Sequence, residues 1–124
     1  MGMSAEFLYR IQPTRLAMLE TGPTVEEAEA TQAHFAYLKA ARDAGVVFGA
    51  GRTLTKGEST FGLVILRAPN EEAAREFMES DPAVATGVMR AELFPFRVAL
   101  WAELPPADDA LVPPARVVKP PLVD

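Results

Sequence analysis

At 124 residues, with 49% hydrophobic and 23% charged side chains and a net charge of −5, the chain reads as one globular domain able to bury its own core. The twelve basic residues are scattered singly, which argues against nucleic acid as a partner, because phosphate binding needs clustered Lys and Arg. The lack of cysteine excludes disulfides, thiolate zinc sites, iron–sulfur clusters and a Cys nucleophile.

Residues 6–13, EFLYRIQP, alternate in part and are rich in strand formers, which predicts a first strand. Residues 15–23 contain Gly-Pro and show no clear period, which predicts a loop. A helix then begins. Thr24 followed by Glu27 makes a capping box, in which each side chain satisfies an otherwise orphan N–H. Ala28, Thr31, Phe35, Leu38 and Arg42 recur at helical spacing, with Ala41 at the edge, and predict the buried stripe. Gly45 ends the helix, since glycine takes the left-handed conformation at little cost.

VVFGAGRTL and TFGLVILRA predict a second and a third strand, joined through TKGES as a hairpin. The continuous apolar run of the third suits a central strand. Asn70 caps a second helix over residues 71–80, with Ala73, Ala74, Phe77 and Met78 facing inward. DPAVATGV then predicts a tight break with one short extra turn of helix. MRAELFPFRVALWAEL predicts a long fourth strand, which Pro95 confines to a sheet edge or a bulge. Residues 105–124 hold six of the eleven prolines and no period, so the domain is expected to span residues 1–104 with a proline-rich tail after it.

The order β-α-β-β-α-β is a ferredoxin-like α+β arrangement, an antiparallel sheet with both helices on one face. Apolar residues on both sides of the later strands call for cover on the second face, and a second copy of the chain is the simplest cover. A homodimer is therefore expected. No apolar run approaches the roughly 18 residues of a membrane span, and no basic-then-apolar signal pattern opens the sequence. The expectation is a soluble, cytoplasmic protein without membrane contact.

His34, the only histidine, lies about 60° from the centre of the predicted stripe, on its flank. A histidine there either points into a cleft at the sheet edge or is a boundary residue with satisfied hydrogen bonds. Asp81 begins an Asp-Pro turn, where an aspartate caps the short helix that follows. Arg52, at the end of the second strand, is a candidate for binding an anionic substrate group. Gly49 and Gly51 would allow close ligand approach but form no phosphate loop, because a strand and not a helix follows. Tyr9 and Tyr37 are each read as a substrate hydrogen-bond donor or as buried packing with a satisfied hydroxyl. One histidine and scattered carboxylates at no ligand spacing point to no metal.

AHFAYLKAARDAG followed by VVFGAG, then SDPAVATGV and AELFPFRV, together resemble the YciI-related (YCII) family of small dimeric α+β barrel proteins. The resemblance covers roughly residues 6–101, and the Asp-Pro element followed by Gly, Glu and Pro-Phe carries most of it. It implies a ferredoxin-like fold paired through its sheets and an active site joining His34 to Asp81. The chain departs from the family pattern at Thr31, where many relatives carry a basic residue, and at Gly51-Arg52, where many have Gly-Pro. The wider barrel group includes isomerases, dehydrohalogenases and oxygenases, so the resemblance implies a site more narrowly than a reaction.

A carboxylate beside an imidazole fixes its tautomer and favours the imidazolium that forms when the other ring nitrogen takes a proton. The expectation is a small enzyme of lyase or isomerase type, with His34 as acid/base, Asp81 orienting it, and Arg52, Gly51 and Tyr37 near a small-molecule substrate. No cofactor is implied. The other open reading is a non-catalytic small-molecule-binding or regulatory dimeric module using the same cleft.

Overall fold

The structure is a computed structural model and describes residues 5–102. Strand β1 (Ala5–Pro13) leads into a short helix α1 (Ala17–Thr21), and the long helix α2 (Val25–Asp43) follows. Strand β2 (Val47–Arg52), a 3₁₀ turn (Gly57–Ser59) and strand β3 (Gly62–Ala68) form the hairpin. Helix α3 (Glu71–Ser80), the four-residue helix α4 (Pro82–Ala85) and strand β4 (Met89–Phe96) complete the domain. The sheet runs β2-β3-β1-β4 with every neighbour antiparallel, the ferredoxin-like α+β order.

Alternation along the strands divides the sheet into two faces. Phe7, Tyr9 and Ile11 from β1 and Val64, Leu66 and Ala68 from β3 are buried beneath the helices, where they meet Leu38, Ala74 and Met78. Leu8, Arg10, Leu63 and Ile65 point the other way. Burying each large apolar side chain contributes about 1.5–3 kcal/mol, and five of them, Phe7, Tyr9, Ile11, Val64 and Leu66, lie on β1 and β3. Pro95 sits in β4, which among the described residues pairs only with β1 and so occupies an edge.

Three local expectations need correction. Within the segment expected to be loop, residues 17–21 form α1, in which Met18 is buried. The strand expected to run on to residue 104 ends at Phe96. The inward stripe of α2 is also rotated from the predicted one. Glu27, Ala30 and Leu38 are buried and His34, Tyr37 and Ala41 half-buried, while Phe35 is 69% exposed. Hydrophobicity sets the predicted stripe, but three members of the true one are polar groups with internal partners. Those partners are Arg15 for Glu27, Asp81 for His34 and the Phe77 carbonyl for Tyr37.

The helix ends follow their local chemistry. The Thr24–Glu27 capping box is formed, with Thr24 Oγ1 accepting from the Glu27 amide at 3.1 Å and Glu27 Oε1 from the Thr24 amide at 2.8 Å. Gly45, at φ 81°, closes α2, and the Val46 amide donates back to the Ala41 carbonyl at 2.9 Å. The expected tail, residues 105–124, lies outside the described residues.

Candidate active site

Asp81 stands at the junction of two helices and serves both. Its backbone caps the end of α3, and its side chain opens α4 by accepting from the Ala83 amide at 3.0 Å. Pro82 follows at the first helical position, where its missing N–H costs nothing. The resulting geometry directs the carboxylate inward, and Asp81 is 0% exposed.

A buried carboxylate is costly unless donors surround it. Asp81 receives donors from three elements. Tyr9 of β1 donates its hydroxyl to Oδ2 at 2.7 Å, and the Ala83 amide donates to Oδ1. His34 of α2 places Nδ1 at 2.8 Å from both oxygens. A carboxylate only accepts, so Nδ1 carries a proton and donates. In its neutral form such a ring presents a lone pair at Nε2. His34 keeps 15% of its side chain exposed, and among the described residues no buried side-chain nitrogen or oxygen lacks a partner. Nε2 makes no hydrogen bond within the described residues, so it opens to the surface. The arrangement can take a proton at Nε2 and stabilise the resulting imidazolium from behind.

The two tyrosines behave differently. Burial, and next the negative charge of Asp81, push the Tyr9 hydroxyl far above its ordinary range, so it remains a donor at any physiological pH. Burial and the same charge push Tyr37 up to about 12. The Tyr37 hydroxyl donates to the Phe77 carbonyl at 2.8 Å, and its ring lies 4.8 Å from that of Phe77. It is thus tied to α3, not presented to a ligand. Tyr9 is the member whose link to Asp81 sequence reading missed. A buried tyrosine with a satisfied hydroxyl was legible, but its partner lies 72 residues away.

The remaining predicted positions fall elsewhere. Gly51 and Arg52 line an open cavity of about 520 Å³ together with Gly49, Leu63, Ile65 and Trp101. Leu63 and Ile65 alternate with the buried Val64 and Leu66, so this cavity lies on the face away from the helices. The sheet separates it from His34 and Asp81. Thr31 turns its hydroxyl back to the Glu27 carbonyl at 2.8 Å. Among the described residues, no group of three His, Asp or Glu side chains converges as a metal site would require.

A family model for the YCII-related domain matches residues 8–97. Among solved structures the fold is similar to that of 5-chloro-2-hydroxyhydroquinone dehydrochlorinase (TftG) from Burkholderia phenoliruptrix AC1100, in complex with 2,5-dihydroxybenzoquinone. The two share 19% sequence identity with a TM-score of 0.54, over 73% of this chain and 93% of that one. No curated protein matches.

Proposed function

The chain belongs to the YCII-related domain family, and from that premise we propose that it is a small enzyme moving a proton on a small organic substrate, a lyase or isomerase in type. The observation that carries this reading is the His34 Nδ1–Asp81 pair at 2.8 Å, buried on the carboxylate side and open at Nε2. In the reaction, Nε2 takes a proton from an acidic carbon of the substrate, and the electron pair of that C–H bond passes into the adjoining unsaturated system. Asp81 holds the imidazolium until the proton returns to another substrate atom or leaves with a departing group. The similarity in fold to a dehydrochlorinase solved with a quinone is in keeping with a small cyclic substrate. The reading includes a homodimer, whose second copy covers the sheet face that carries Leu8, Leu63 and Ile65.

Exchange of substrate C–H protons with deuterated solvent tests this directly, because it reads the proton transfer whatever product forms. Across a panel of hydroxyquinones and 2-oxo acids, the wild-type protein is expected to catalyse exchange into at least one compound. His34→Gln is expected to lower that exchange by about 10²- to 10⁴-fold. Equal exchange in the wild type and in His34→Gln would sink the proposal.

A further inference from the structure

Tyr9 raises a question that packing alone does not answer. Its ring fills the core between Val64 and Leu93 of the neighbouring strands and lies 6.3 Å from that of Phe77. A phenylalanine would fill the same volume. The hydroxyl is the added feature, and burying one is costly unless it is bonded. Its hydrogen bond goes to Asp81 Oδ2, the same oxygen that His34 Nδ1 approaches at 2.8 Å.

We infer that Tyr9 is a positioning residue that seats the Asp81 carboxylate and tempers its hold on the proton of His34. The inference rests on the reading of His34 as the group that transfers the proton. Among the described residues, the polar groups set against the carboxylate come from three elements. Tyr9 comes from β1, His34 and the more distant Tyr37 from α2, and the Ala83 amide from α4. Among the described residues no Lys or Arg pairs with Asp81. Apart from His34 itself, the donors to Asp81 among the described residues are neutral. Charge that Oδ2 shares with the Tyr9 hydroxyl is unavailable to Nδ1, so removing the hydroxyl strengthens the pull on the imidazolium. The function of such a brake is to keep the imidazole from holding its proton too tightly to give it back.

Tyr9 and Tyr37 are the only tyrosines and His34 the only histidine, so the test can be made site by site. The midpoint of the His34 titration is followed by NMR in the wild type, in Tyr9→Phe and in Asp81→Asn. The midpoint is expected to fall in Asp81→Asn and to rise by about half a pH unit or more in Tyr9→Phe. A second arm makes the hydroxyl a stronger donor by incorporating 3-fluorotyrosine in a Tyr37→Phe background, and there the midpoint is expected to fall. Opposite shifts from a weaker and a stronger donor are a signature that a packing role would not give. A Tyr9→Phe midpoint that is unchanged or lower, or a fluorinated protein with no shift, overturns the inference while leaving the exchange assay free to succeed. If Tyr9→Phe fails to fold, the fluorotyrosine arm decides alone. An Asp81→Asn midpoint equal to the wild type would remove the His34–Asp81 coupling itself, and the inference with it.

Discussion

Glu27 shows how one residue serves two levels of structure. Its carboxylate accepts from Arg15 Nε at 2.8 Å and from Nη2 at 2.7 Å, and also closes the capping box at the start of α2. Those bonds, Arg15 first and the Thr24 amide second, pull its carboxyl from the ordinary 4.5 down to about 2. A depressed carboxyl stabilises the fold above the unfolded-state value, and that contribution disappears as pH falls from about 4.5 to about 2. The stability gap between wild type and Glu27→Gln in urea is therefore expected to be widest above pH 5 and to close progressively toward pH 2. A gap independent of pH would mean that the ion pair does not act on folding. The capping box was legible because both partners lie within one turn. Arg15 was not, because its partnership crosses a segment that reads as loop.

Among the elements, α2 records most sharply where sequence reading succeeds and where it stops. The strands, the Asn70 cap and the Asp-Pro turn were legible, since alternation and capping are local rules. The phase of α2 was not. Hydrophobicity selected Phe35, whereas folding turned His34 and Tyr37 inward to meet acceptors contributed by residues 77–81. Leu38→Ala, on the buried stripe, is expected to cost about 2–5 kcal/mol. Phe35→Ser, with 69% of the residue exposed, is expected to stay within about 0.5 kcal/mol of wild type. Chemical denaturation of the two variants checks the rotated face, and a large loss from Phe35→Ser would restore the original phase. The same rotation explains why His34, read from spacing as a flank residue, instead lies between Ala30 and Leu38 on the inward stripe.

For the molecule as a whole, the helices among the described residues cover one face of the sheet only. Phe94 and Phe96 at the β4 edge are 38% and 40% exposed, and Trp101 is 58% exposed beside the Gly49 cavity. Contiguous apolar surface of this kind on a small domain marks an interaction site. The proposed homodimer would bury it, so light scattering is expected to give twice the chain mass of 13.4 kDa. Ile65→Glu, which places a charge in the middle of that face, is expected to shift the mass toward a single chain without unfolding it. A wild-type mass of 13.4 kDa would sink the dimer.

The position of Asp81 has a consequence for the order in which the chain becomes competent. Its two side-chain partners in the other layers lie 47 and 72 residues upstream, whereas its bond to Ala83 spans only two. Closing loops of that length carries an entropic cost that local turns do not. The α4 cap can thus form early, but the imidazole gains its carboxylate only after α2 has docked on the α3–α4 junction, and the carboxylate gains Tyr9 only after β1 has joined. A partly folded chain carries a histidine without its carboxylate partner, and the pair appears only with the completed fold.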